Sequence, residues 1–119
     1  MSSTQQHWLP HSETLFLVYT RRDVGNVNVP RWRAPLFMAQ VDPENLRLSR
    51  ETEQIVLPLV GDGVNVPDDV AYSGNSHPMS ASPEESWVTD GEMIPKRGYR
   101  GDLLLSLIRW SKPNQLVRR

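Results

Sequence analysis

The stretch Thr14-Leu15-Phe16-Leu17-Val18-Tyr19-Thr20 is rich in β-branched and aromatic residues, which is typical of a β-strand. A second run of this kind, Pro35-Leu36-Phe37-Met38-Ala39-Gln40-Val41, ends at the turn-forming Asp42-Pro43-Glu44-Asn45. Both runs place apolar residues on both faces of the strand, whereas a sheet with one wet face alternates apolar and polar residues. We therefore expect these two strands to lie between two layers of the protein.

Three other segments complete the predicted architecture. Residues 53–58 and 86–89 have strand character. Residues 102–110 are ambiguous, because their leucines fit one face of a helix behind an Asp102 cap or a strand that is apolar on both faces. The sequence predicts an all-β fold of about seven strands, and the alternative is an α+β fold in which residues 102–110 form a C-terminal helix.

A weak internal repeat supports the all-β interpretation. Residues 5–12 align with residues 75–82 at an offset of 70 positions, which places His7 over His77. The repeat favours a strand over residues 102–110, because the apolar run of the first unit occupies the corresponding place. We expect a single domain over residues 1–119 with a first unit, a linker and a second unit: 4–58, 59–68 and 69–112. The polar tail from Ser111 is expected to be solvated.

Composition excludes several classes of protein. The 119 residues carry 13 Lys and Arg against 14 Asp and Glu, which argues against general binding of nucleic acid or of anionic membranes. The chain has no cysteine, so it has no disulfide framework, no cysteine zinc site and no thiol nucleophile. Apolar runs reach only about five residues, far short of a membrane span. With no signal-peptide pattern at the start, a cytoplasmic location is expected.

The chain resembles the C-terminal part of sialidase-like (neuraminidase-like, BNR-type) six-bladed β-propellers over about residues 4–114. The resembling stretches of the first half are Thr4-Gln5-Gln6-His7-Trp8, residues 15–22 and residues 33–43. Those of the second half are Gly74-Asn75-Ser76-His77, residues 84–89, residues 101–105 and residues 109–114. The Asp-box turn of sialidases is absent, and the chain holds material for two blades, whereas six blades need roughly 300 residues.

The resemblance implies two antiparallel, propeller-like blades with uncovered faces, and hence a homo-oligomer, either a trimer that closes a six-bladed ring or a dimer. The first strand of each blade would line a common opening suited to binding sugar hydroxyls. The candidate ligand-binding residues there are Gln5, Gln6, His7, Asn75 and His77. No third metal ligand has convincing spacing, so we expect no metal and no cofactor. The alternative is that the histidines only bond backbone groups near strand ends.

A cationic loop supplies a second candidate site. Sialidases hold a substrate carboxylate with arginines, and the resemblance assigns this role to Arg21 and Arg33. Trp32 between two arginines would be an exposed platform for a sugar ring. The alternative is a solvated loop whose charges pair with Asp23 and Glu51.

Catalysis has weaker support in the sequence. Sialidases use a tyrosine nucleophile activated by a carboxylate, which makes Tyr72 and Glu92 the catalytic candidates. Solvation of two loop residues is the simpler interpretation. We expect a non-catalytic sialidase-like propeller fragment or relative that binds carbohydrate or an acidic small molecule. The alternatives are an oligomeric β-rich protein-interaction module without small-molecule function and a glycosidase whose site is completed by assembly.

Overall fold

The protein folds into antiparallel β-structure in a computed structural model that describes residues 6–94 and 102–117. The strands are β1 (His7–His11), β2 (Thr14–Tyr19), β3 (Leu36–Asp42), β4 (Arg47–Leu57), β5 (Tyr72–Ser73), β6 (His77–Ser82), β7 (Glu85–Met93) and β8 (Leu103–Arg109). Seven of them are five residues or longer, and the only helical pieces among the described residues are two short 3-10 turns. The all-β prediction of about seven strands is therefore confirmed, and the two sheets are consistent with two propeller-like blades.

The first sheet is a simple meander in the order β1-β2-β3-β4. Its first hairpin turns through Ser12, whose φ of 52° lies in the left-handed region. Strand β4 is much longer than the predicted 53–58, and it is interrupted by a bulge. Met38 pairs with Gln54 whereas Gln40 pairs with Ser49, so residues 50–53 loop out of the ladder. This bulge brings a charged segment over the sheet.

The second sheet is built around β7, which pairs with β5, β6 and β8. Strand β7 extends well beyond the predicted 86–89, and β8 occupies the ambiguous segment. The alternative helix over residues 102–110 is wrong, because Leu103 to Arg109 form a strand that pairs with β7 along its whole length. Along β8, exposed and half-buried residues alternate, which is the period of a strand with one covered face.

The main core lies between the two sheets. Leu9, Val18 and Leu36 of the first sheet are buried together with Val88 of the second. Leu104, Ile108 and Trp110 pack against this cluster from the second sheet. Strands β1 and β6 lie side by side. His7 begins β1 and His77 begins β6, so the structure places the two aligned segments of the repeat in corresponding strands.

The far face of the first sheet is also covered. Tyr19, Phe37 and Ala39 are buried there. The guanidinium of Arg21 lies 4.3 Å from the centroid of the Phe37 ring and covers it. Both faces of β2 and β3 are thus covered, as the sequence predicts.

The C-terminal segment is mostly exposed over residues 111–117, as the sequence predicts, but it is anchored at Asn114. Asn114 is buried and accepts the backbone N–H of Ser12 at 2.8 Å. Its side-chain amide donates to the carbonyl of Pro10 at 3.1 Å, and its own backbone N–H donates to the carbonyl of Pro83 at 2.6 Å. One asparagine therefore bonds the first hairpins of both sheets and holds them together. The sequence gives no apolar signal for this role.

Candidate functional site

The two histidines that the repeat aligns lie next to each other. His7 on β1 and His77 on β6 have ring centroids 5.9 Å apart, with the ring planes tilted by 39°. They meet because β1 and β6, which begin at these residues, lie side by side although they belong to different sheets. Two imidazoles from different sheets thus face one edge of the molecule.

The sequence also predicts three amide residues beside these histidines. Of these, Gln6 and Asn75 are exposed, and Gln5 lies outside the described residues. Across residues 6–94 and 102–117, no group of three or more His, Asp or Glu side chains is arranged to hold a metal ion. This edge therefore carries the imidazoles of His7 and His77 and the exposed amides of Gln6 and Asn75.

The loop arginine with the best-defined environment is Arg21, which forms an ion pair inside the chain. Its Nη2 lies 2.5 Å from Glu53 Oε1, and its Nε donates to Glu53 Oε2 at 3.0 Å. The hydroxyl of Tyr19 donates to the same carboxylate. The bulge of β4 is what brings Glu53 over the sheet to meet these partners.

The pKa values of this cluster are shifted in the directions that pairing requires. Hydrogen bonds from Arg21 hold the pKa of Glu53 below its ordinary value, against the opposing effect of burial. Burial and the hydrogen bond to Glu53 raise the pKa of Tyr19 far above its ordinary value of 10.0. Hydrogen bonding to Glu53 raises the pKa of Arg21. At neutral pH the Glu53 carboxylate therefore pairs with the guanidinium of Arg21 beside the neutral phenol of Tyr19, and Arg50 Nε lies 3.5 Å from the same carboxylate.

The other two candidates of the loop, Trp32 and Arg33, are both half-buried. Trp32 is half-buried in a 3-10 turn, and the backbone N–H of Arg33 donates to the carbonyl of Pro30 at 3.3 Å. The partner of Arg21 is Glu53 rather than the expected Glu51, with Asp23 at a longer 3.4 Å. Arg21 therefore already binds a carboxylate that belongs to the chain.

Asn26 organises this loop, and no feature of the sequence marked it. It is fully buried, and its side-chain amide donates to the carbonyls of Arg21 at 2.8 Å and Ala34 at 2.7 Å. Its Oδ1 accepts the backbone N–H of Asp23 at 2.6 Å. A single asparagine thus fixes both ends of the loop.

The two catalytic candidates lie on neighbouring strands but are not directly opposite each other. The ladder between β5 and β7 pairs Tyr72 with Met93 and Ser73 with Glu92. Burial raises the pKa of the Glu92 carboxyl, and the nearby carboxylates of Asp90 and Asp102 raise it further.

The outward surface of the second sheet is apolar and open to solvent. Leu103, Leu105 and Leu107 of β8 have exposed fractions of 83%, 49% and 51%. Trp87 of β7 is directly paired with Leu107 on one side and with Met79 on the other, so these side chains share a face. Met79 is 45% exposed. We call this surface, formed by Met79, Trp87, Leu103, Leu105 and Leu107, the open face.

Comparison with known proteins adds no assignment to these surfaces. No protein-family model, curated protein or solved structure matches the chain significantly. Among the residues that the structure describes, no helix has the length and apolar character needed to cross a membrane.

Proposed function

We propose that the chain is an assembly module, a non-catalytic, propeller-like two-blade unit that forms oligomers through the open face of its second sheet. The observation that carries the proposal is the row Leu103, Leu105 and Leu107, whose side chains alternate with residues that pack into the core. Three exposed leucines in a row, next to Trp87 and Met79, are an unusual surface for a protein that acts alone.

The composition of the open face supports protein docking over ligand binding. Most of its side chains are aliphatic or aromatic, Thr89 and His77 share the middle row with Leu105, and its charged pair, Arg109 with Glu85 at 3.8 Å, lies at one end. A mainly apolar surface with charges at the rim is the usual anatomy of a protein interface. Flat sheet faces also lack the concave shape that small-molecule sites use.

Light scattering of matched variants tests this proposal. Leu105→Asp and Leu103→Lys each place a charge on the open face, whereas Val24→Asp places one on an apolar loop residue that is 86% exposed. We expect the two open-face variants to stay at the 13.6 kDa mass of one chain, while the control and the wild-type chain form a larger species. Equal masses for all four proteins would contradict the proposal. Circular dichroism verifies that each variant is folded.

A second candidate function is binding of a carbohydrate or an acidic small molecule at the edge formed by His7 and His77. It is supported by the 5.9 Å separation of the two imidazoles, which come from different sheets. NMR titration with sialic acid tests it. We expect the imidazole signals of His7 and His77 to shift, while those of His11, which packs on Trp110, stay in place. Equal shifts of all three would contradict a site at this edge.

A further inference from the structure

We infer that the occupant of the open face is a second copy of this chain, related to the first by a two-fold axis that passes close to Leu105. This inference rests on the proposed assembly function and names its partner. In this arrangement the open faces of two copies pack against each other, and the assembly closes at two chains.

The number of open sheet faces favours a two-fold dimer over a ring. The inward faces of the two sheets pack on each other. The centre of the far face of the first sheet is covered, since Tyr19, Phe37 and Ala39 are buried there and the guanidinium of Arg21 lies over Phe37. On the outer strands β1 and β4 of that face, Trp8 and Ile55 stay more than half exposed, whereas the open face carries a continuous row of exposed leucines on β8. A head-to-tail ring needs two different complementary surfaces on each chain, whereas a two-fold interface needs only one.

The sizes of the side chains along the open face determine where the two-fold axis of the dimer lies. One end is bulky, because Trp87 stands between Met79 and Leu107 in the same row. At the other end Gly91 has no side chain, and an added Cβ would meet no atom within 4 Å, so a gap lies beside the exposed Leu103 with which Gly91 pairs; we call this gap the Gly91 hollow. Leu105 lies midway between these rows on β8. A two-fold axis there places the bulky row of each copy against the Gly91 hollow of the other.

The area of the face is sufficient for a specific dimer. Strand β8 has 7 residues, and at about 3.3 Å per residue it is about 23 Å long. Three strands at about 4.8 Å spacing add a width of about 14 Å. The projected area of the face is therefore about 320 Å². Its protruding side chains add accessible surface, so each copy would bury roughly 500–600 Å² and the pair roughly 1,000–1,200 Å², which is the lower range for specific interfaces. We therefore expect a reversible dimer.

Cross-linking of single-cysteine variants tests the two-fold arrangement, because the chain contains no other cysteine. Facing sheets lie about 10 Å apart, which a short bismaleimide spans. We expect Leu105→Cys to give a covalent dimer in high yield. A mixture of Leu103→Cys and Leu107→Cys should cross-link better than either variant alone. Val24→Cys, at an exposed loop position, should stay monomeric.

Gly91→Leu provides an independent variant that places a side chain in the hollow, where its Cβ would meet no atom of its own chain within 4 Å. We expect it to weaken association about tenfold or more while the thermal unfolding of the monomer is unchanged. An oligomer that forms in the wild-type chain but does not cross-link through Leu105→Cys would overturn the two-fold arrangement and leave the assembly function standing. A wild-type chain that stays monomeric would overturn both.

Discussion

Arg21 and Glu53 are 32 positions apart in the chain and form a two-pronged ion pair on the far face of the first sheet. The pair lies beside Phe37, whose ring the guanidinium covers at 4.3 Å. Because both side chains are mostly shielded from water, each stabilises the burial of the other. This relationship closes a face that would otherwise expose the aromatic residues of β2 and β3.

Removing one member of the pair should destabilise the fold. We expect Glu53→Ala to lower the free energy of unfolding by about 3 kcal/mol, because the buried guanidinium of Arg21 and the hydroxyl of Tyr19 lose their acceptor. Urea denaturation measures the effect. Glu51→Ala, two positions away and exposed, is the matched control and should cost less than about 0.5 kcal/mol. If both variants lose a similar free energy of unfolding, the Arg21–Glu53 pair contributes no more to stability than an exposed glutamate does.

Acid should weaken the same contact. The pKa of Glu53 is held below its ordinary value of 4.5 in the folded chain, so the stability from this pair is fully present above 4.5. It is lost as the pH falls through the lower, folded value. We expect the stability difference between the wild-type chain and Glu53→Gln to shrink between about pH 5 and pH 2. If the stability difference between the two proteins does not change with pH, the ionised Glu53 carboxylate does not stabilise the fold as we expect.

The C-terminal asparagine should contribute to stability although it lies in a polar tail. We expect Asn114→Ala to lower the free energy of unfolding by about 1–3 kcal/mol, because it leaves the backbone groups of Ser12 and Pro10 without their side-chain partner. Gln115→Ala removes a neighbouring, exposed side chain and is the control. Thermal melts compare the two variants. Equal melting temperatures would mean that the tail does not hold the hairpins together.

Neutralising Glu92 should be favourable. Its pKa is raised in the folded chain, so the unfolded chain releases this proton first and stability falls as the pH rises above 4.5. We expect Glu92→Gln to raise the free energy of unfolding at pH 7 by a few tenths of a kcal/mol, since partial exposure screens the repulsion from Asp90 and Asp102. Glu44→Gln, in an exposed turn, should have no such effect. Urea denaturation at pH 7 and at pH 4 compares Glu92→Gln with the control Glu44→Gln. Destabilisation by Glu92→Gln at pH 7 would contradict the prediction.

Strands β2 and β3 could be predicted from the sequence because both are runs of apolar, β-branched and aromatic residues bounded by turn-forming residues. The run at 14–20 became β2, and the run at 35–41 became β3 with a shift of one residue. The alignment of His7 with His77 anticipated that both residues begin the first long strand of their sheet. Residues 102–110 could not be settled by pattern alone, since the choice depends on the open edge of β7 that β8 pairs with.

The long-range polar contacts could not be predicted. The partner of Arg21 is Glu53 rather than Glu51 because a bulge in β4 shifts which carboxylate reaches over the sheet. Asn26 and Asn114 act through buried hydrogen bonds to the backbone, which leave no periodic signal in the sequence. The resemblance implied uncovered blade faces, but the position of the open face could not be predicted, because leucines in β8 could equally have been buried on both sides.

The most direct test of the assembly function is the absolute mass of the wild-type chain in solution, measured by light scattering across a concentration series. Burial of the open face in a two-fold dimer predicts twice the 13.6 kDa chain mass at high concentration, falling toward 13.6 kDa on dilution. A mass of three chains would contradict the two-fold arrangement while retaining assembly. A mass of 13.6 kDa at every concentration would contradict the central claim that the open face is a docking surface between copies of this chain.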